Sequence, residues 1–240
     1  HALLARGLSP LPLIIWRKQT NAPNKFMGSG MLPAGAYVTL EHEYILIFRK
    51  GKKRVFTRES DVTNRQRSSL FWEERNIWYS DLWDFKGTRQ ELNHSSLRER
   101  SAAFPFELAY RLILMYSVRN DVVLDPFLGT GTTSFAAMAA ERNSVGIEID
   151  PNFRQLISDL IPNVKGIANE SVSRRLTSHV AFIGAYEAEK GKTKHVNDFY
   201  GFDVVTSQER KIQLAYIEDI QPNSADGYVV TYDASPSLEE

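Results

Sequence analysis

The sequence predicts an α/β fold built on a mostly parallel sheet. Three observations carry this. Val122-Val123-Leu124 is a short apolar run of the kind buried in parallel sheets. A Gly-containing turn and the Ala-rich stretch Ser134 to Glu141 follow it, the latter reading as a helix. Val145 to Ile149 is then a second apolar strand, so the order is strand, helix, strand. With 240 residues, 42% hydrophobic and 24% charged, the chain can bury a proper core and is neither disordered nor a coiled coil. It has no cysteine, which excludes a disulfide scaffold, a zinc ribbon and a thiol nucleophile. No apolar run reaches the ~18–20 residues that span a bilayer, so a cytoplasmic protein is expected.

The elements can be taken in chain order. Leu11 to Trp16 reads as a buried strand, and 19–35, rich in Asn, Pro and Gly, as a loop. Glu43 to Arg49 is apolar and β-prone, hence one more strand. The stretch 68–103 is aromatic and polar without a clear period. From Phe104 the pattern turns helical: Pro105 suits the first helical position, Glu107 the positive helix end, and Leu108, Leu112 and Met115 share a face. After the strand at 145–149, residues 153–161 form a short amphipathic helix that Pro162 closes. Gln213 to Ile220 and Gly227 to Tyr232 read as strands joined by a turn.

The residues that carry chemistry are Asp125-Pro-Phe-Leu-Gly-Thr-Gly-Thr-Thr133, between a strand and a helix. Gly129 and Gly131 allow a tight turn and close approach of a ligand to the backbone. Asp125 stands at the carboxyl end of the strand, where open α/β sheets bind ligands. Glu148 ends the neighbouring strand, and a carboxylate there can hold both ribose hydroxyls of a nucleoside. The loop lacks the third Gly of the dinucleotide fingerprint and the Lys of a Walker A loop. Asp125 would repel a pyrophosphate but suits an ammonium or sulfonium. Together these residues favour S-adenosylmethionine. A dinucleotide and a plain structural turn are the competing readings.

Here the sequence resembles a known family. The run 122–153, VVLDPFLGTGTTSFAAMAAERNSVGIEIDPNF, is similar to the cofactor site of DNA amino-methyltransferases, which modify cytosine N4 or adenine N6. Ser101 to Leu108 (SAAFPFEL) looks like the family's other cofactor-contacting segment, and its place before the Asp-Pro-Phe loop marks the permuted β subgroup. Leu13 to Lys18, Phe26 to Gly30 and Glu41 to Lys50 are similar to segments that follow the catalytic motif. The resemblance covers roughly residues 8–162 and implies a Rossmann-like, S-adenosylmethionine-dependent methyltransferase fold. It implies that Asp125, Phe127, Gly129, Thr130 and Gly131 surround the methionine part of the cofactor. Glu148 would hold the ribose, and Phe104 and Pro105 would pack beside the cofactor.

The family catalyses with a tetrapeptide of the form Asp/Ser/Asn-Pro-Pro-aromatic. It accepts hydrogen bonds from the exocyclic amine of a flipped base and stacks on that base. This sequence has no Pro-Pro dipeptide; Ser9-Pro10-Leu11-Pro12 is the nearest string. No catalytic residue is therefore assigned. The resemblance places the tetrapeptide upstream of residue 1, so the chain is expected to be the C-terminal portion of a longer enzyme. A split subunit and a non-catalytic homologue remain open.

This divides the chain into a catalytic remnant (1–50), a target-recognition region (51–100), an S-adenosylmethionine-binding subdomain (101–164) and an acidic extension (165–240). Between 49 and 67, eight basic residues face only Glu59 and Asp61. Lys50, Lys52, Lys53, Arg54, Arg58, Arg65 and Arg67 are the candidates for DNA phosphates, against a solvated loop as the alternative. Trp72 and Trp78 read as core, His42 as structural, and Glu73 and Glu74 as solvated charges. The five His do not share metal-ligand spacing, so no metal is expected. The expected partners are duplex DNA, with a cognate restriction enzyme or a complementing N-terminal segment. The rival functions are a non-catalytic cofactor- and DNA-binding subunit, and a methyltransferase of RNA or small molecules.

Overall fold

The structure is a computed structural model that describes residues 2–18, 34–35, 41–85, 104–223 and 227–234. It divides into two compact units, His1–Val55 with Ile77–Arg89, and Phe56–Asn76 with Gln90–Glu240. These boundaries cut across the four-part division drawn from sequence. The expected loop at 19–35, the Phe26 to Gly30 segment and most of 86–103 lie largely outside the described residues.

The first unit holds α1 (Ala2–Ala5), β1 (Leu8–Pro10), β2 (Ile14–Arg17), β3 (His42–Ile45), β4 (Phe48–Lys50) and β5 (Leu82–Asp84). Strand β2 is central, antiparallel to β3 and parallel to β5, with Trp16 opposite Glu43 and Trp83. Ile14, Trp16 and Trp83 are buried by the strand period of two. Each buried indole N–H finds a carbonyl, Trp16 at Phe85 and Trp83 at Trp78, both at 3.0 Å. Two expectations change here. The strand expected from Leu11 begins at Ile14, because Pro12 has no N–H for a ladder. The strand expected over 43–49 breaks at Leu46 and Ile47: β3 pairs with β2, whereas β4 pairs with β1.

The second unit begins with α2 (Glu59–Arg67) and α3 (Trp72–Trp78), whose last two residues belong to the first. It continues through α4 (Phe106–Tyr116), β6 (Val122–Asp125), α5 (Thr132–Ala139) and β7 (Asn143–Gly146). The long α6 (Asn152–Lys190) is followed by β8 (His195–Val196), β9 (Asp203–Val204), β10 (Tyr216–Pro222) and β11 (Tyr228–Asp233). The expected strand–helix–strand unit is present: β6 and β7 pair in parallel, Leu124 opposite Val145, joined through α5. The fold is α/β. Of the six strand pairs among the described residues, however, only β2–β5 and β6–β7 are parallel.

Four further differences from the sequence expectation are seen. Pro105 is the N-cap of α4 and not its first residue. The buried arc of α4 is Leu108, Ala109, Tyr110, Ile113 and Leu114, leaving Leu112 and Met115 half-buried, because the helix packs on more than one side. Strand β6 is not buried on both faces: Val122 and Leu124 are 66% and 61% exposed, while Val123 and Asp125 turn inward. Finally, Pro162 does not close a helix. Helix α6 runs 39 residues through it. A mid-helix proline costs ~3 kcal/mol, but Val164, Ala168, Val172, Leu176 and Ile183 are all buried beyond it. At ~1.5–3 kcal/mol for each large side chain, that burial outweighs the proline.

The residues after 164, set apart from sequence as an acidic extension, complete the core of the second unit. Phe71, Val172, Leu176, Ile212 and Leu214 form a buried cluster ringed by Tyr200, Phe202 and Tyr216. Asn169 of α6 grips the backbone of Ile217 in both directions, accepting from its N–H at 2.7 Å and donating to its carbonyl at 3.0 Å. Strands β10 and β11 form the expected antiparallel hairpin, and the Tyr232 phenol donates to the Met138 carbonyl at 2.8 Å. Glu74, expected to be solvated, is buried and ion-paired with Arg175 of α6. Burial alone would depress the Arg175 guanidinium, but the Glu74 carboxylate holds its pKa above the usual value. Burial pushes the Tyr110 phenol up and lowers Arg142 to about 10.

Candidate cofactor site

The parallel pairing of β6 with β7 puts Asp125 opposite Gly146, two residues before Glu148. Asp125 ends β6, and Glu148 lies two residues past β7. The loop between β6 and α5 crosses from one to the other. Gly129 and Gly131 have φ of +53° and +85°, the left-handed region that glycine enters without steric cost. At Gly131 a Cβ would meet the Phe135 ring at 3.0 Å and Ile157 at 3.2 Å, so the loop also needs a bare backbone there. Gly146 has the same character. A Cβ there would fall within 2.9 Å of three Leu128 side-chain atoms, and Leu128 N–H donates to the Ile147 carbonyl at 2.9 Å. The loop thus lies on β7 at van der Waals distance.

All four carboxylate oxygens accept a hydrogen bond from the loop or its flanks. Asp125 Oδ1 accepts from Phe127 N–H at 3.0 Å and Oδ2 from the Thr133 hydroxyl at 2.6 Å. Glu148 Oε2 accepts from Gly129 N–H at 2.8 Å and Oε1 from Asp150 N–H at 3.0 Å. An ionised carboxylate oxygen has two acceptor positions, so each retains one for a ligand. Thr130 is buried, its hydroxyl 3.2 Å from that of Thr132. The Phe127 ring is 86% exposed. The arrangement offers a bare backbone, an apolar ring and two carboxylates, which suits a ligand with a cationic end and a vicinal diol.

The expected cofactor residues Asp125, Phe127, Gly129, Thr130, Gly131 and Glu148 thus come together on one loop and its flanks. Phe104 and Pro105 precede α4, with Pro105 buried. Sequence reasoning missed Thr133, Leu128, Gly146 and Asp150. Thr133 stood inside the quoted motif; its signal was a hydroxyl on the first turn of the helix, eight residues after Asp125.

The basic run is divided between the two units. Lys50 ends β4 and Lys52, Lys53 and Arg54 follow it, all four exposed in the first unit, whereas Arg58, Arg65 and Arg67 belong to the second, the last two on α2. Arg58 pairs with Asp61 at 2.9 Å, and Arg65 and Arg67 lie over the rings of Phe56 and Phe199. Trp78 is buried as expected, but Trp72 is 36% exposed. His42 sits edge-on to Tyr44 on β3. Glu73, His179 and Glu209 bring ligand-type atoms within 4.8 Å of one another. Each atom already has a protein partner. His179 Nδ1 faces Glu73 at 3.0 Å and Nε2 faces the Asp203 carbonyl at 3.2 Å. Glu209 accepts from Trp72 N–H and from the N–H and hydroxyl of Thr206. This set reads as a hydrogen-bonded strut, with Phe71 stacked on the imidazole at 4.0 Å.

The sequence matches the DNA methylase family model over residues 3–159. The chain belongs to this family. Among its relatives is the Type II methyltransferase M.MthZI of Methanothermobacter thermautotrophicus, 55% identical over 212 residues, or 88% of this chain and 58% of the relative. Another is the Type II methyltransferase M.MjaI of Methanocaldococcus jannaschii, 49% identical over 155 residues, or 65% of this chain and 50% of the relative. The chain therefore spans about half to three fifths of the length of these relatives. It is similar in structure to a DNA modification methylase of Thermus thermophilus complexed with S-adenosyl-L-methionine. That match has a TM-score of 0.52 and 33% identity over 67% of this chain and 56% of the other.

Proposed function

We propose that this chain binds S-adenosylmethionine and contacts duplex DNA as part of a Type II DNA amino-methyltransferase, one that modifies cytosine N4 or adenine N6 beside a cognate restriction enzyme. The observation that carries this is the loop from Phe127 to Thr133, held at both ends by the Asp125 carboxylate and at Gly129 by that of Glu148. S-adenosylmethionine, when bound, supplies an activated sulfonium methyl. The chain's own residues would do the rest of the cofactor work. Glu148 would accept from the ribose hydroxyls with its free acceptor positions. Asp125 would face the cationic methionine end. Phe127 would lie along the cofactor, with Phe104 and Pro105 beside it. Lys50, Lys52, Lys53, Arg54, Arg58, Arg65 and Arg67 would meet DNA phosphates. Calorimetry with S-adenosylmethionine tests the reading: saturable one-site binding supports it, and no heat at millimolar cofactor overturns it.

The absence of any Pro-Pro dipeptide favours a second reading, in which these 240 residues bind cofactor and DNA without catalysing. Tritiated methyl transfer to duplex DNA separates the two. Activity that appears only when a segment carrying a Pro-Pro-aromatic motif is added, fused or in trans, supports the first.

A further inference from the structure

We infer that Thr133 is a positioning residue for the cofactor, acting through Asp125; this rests on the reading of the loop as an S-adenosylmethionine site. Of the four donors that hold the two carboxylates, three are backbone N–H groups and one, the Thr133 hydroxyl, is a side chain. Its 2.6 Å contact with Oδ2 lies in the range of a hydroxyl donating to an ionised carboxylate. Thr133 sits in the first turn of α5, and its branched Cβ restricts χ1 to a few rotamers. The hydroxyl therefore meets Asp125 from a fixed direction. Phe127 N–H holds the other oxygen, so the carboxylate plane is set from both sides, and the remaining acceptor positions keep a constant aim. Without the hydroxyl, Asp125 keeps only the Phe127 N–H and can turn about its side-chain bonds. The ligand that depends on this aim is one with a cationic amino-acid end. A nucleoside thioether lacking that end does not depend on it.

Valine is close to threonine in shape but cannot donate, whereas serine can. In calorimetry on the full chain, Thr133→Val should bind S-adenosylmethionine about tenfold more weakly, the loss expected for one charge-assisted hydrogen bond. Thr133→Ser should return to within about twofold of wild type. Methylthioadenosine, which keeps the adenine and ribose but lacks the amino-acid end, should bind wild type and Thr133→Val alike. In an Asp125→Asn background, Thr133→Val should add little further loss, since the two residues act as one unit. Unchanged S-adenosylmethionine affinity in Thr133→Val overturns the inference. So does an equal loss for methylthioadenosine, which would mark Thr133 as a support of the helix start only. Melting curves identify a variant that fails to fold, and Thr133→Ser then decides. A wild-type chain that binds methylthioadenosine but not S-adenosylmethionine overturns the cofactor reading itself, and the role of Thr133 with it.

Discussion

Glu148 illustrates how much a single side chain can carry at this site. Its carboxylate ties Gly129 N–H to Asp150 N–H, so it joins the turn after β6 to the turn after β7 before any ligand arrives. Glu148→Ala should weaken S-adenosylmethionine binding by ~1–3 kcal/mol, the usual loss for charge-assisted hydrogen bonds; calorimetry checks this. Gly146→Ala makes a steric test of the same loop. The added methyl displaces Leu128, and overpacking of this kind costs ~1–3 kcal/mol. Urea denaturation should show that loss, and Leu128→Ala should recover part of it in the double variant. The buried Glu74–Arg175 pair makes a third test. Arg175→Met leaves the Glu74 charge buried without its partner, which costs ~3–5 kcal/mol. Glu74→Gln together with Arg175→Met should cost less than Arg175→Met alone. The placement of Asp125, Gly129, Gly131 and Glu148 around one loop was legible from sequence because it is local to one strand–turn–helix–strand stretch. The fate of Glu73, Glu74 and His179 was not. Their partners lie about a hundred positions away, and no local pattern encodes that pairing.

Elements failed to be legible where tertiary packing overruled a local rule. The rule that proline ends a helix is sound for an isolated segment. Here the apolar spacing at 161, 164, 168, 172 and 176 continues past Pro162 at three- and four-residue intervals, and that signal was available in the sequence. Pro162 itself is exposed, so Pro162→Ala removes the strain without creating a cavity. It should stabilise the chain by ~1–3 kcal/mol in thermal or urea unfolding, restoring the N–H that the Ser158 carbonyl lacks. The basic run shows the opposite case. Its charges mask α2, a polar helix with no buried residue, with Glu59 and Asp61 in the first turn as start signals. The broken strand at 43–50 was hidden because Leu46 and Ile47 are as apolar as their neighbours, and only the change of pairing partner separates β3 from β4.

At the scale of the whole molecule, the residues proposed for the cofactor, those proposed for DNA phosphates and those that carry stability lie in different parts of the chain. Neutralising Lys52, Lys53 and Arg54 together should weaken binding to all DNA sequences alike and lower the salt slope by up to about three phosphate contacts. A slope equal to wild type would leave that exposed stretch as solvated surface. The stability of the second unit depends on residues that the family model does not reach. That model ends at residue 159, in the second turn of a helix whose buried side chains continue to Ile183. At ~1.5 Å per residue α6 is ~58 Å long, and no natural seam falls along it. Anyone dividing the protein for expression, or exchanging its C-terminal portion with that of a relative, should therefore leave residues 152–190 whole. A junction near 164 would expose Val164, Ala168, Val172 and Leu176 and produce aggregates. Residues 191–194, past the helix and before β8, are the place where a nick or an inserted tag should leave both sides folded.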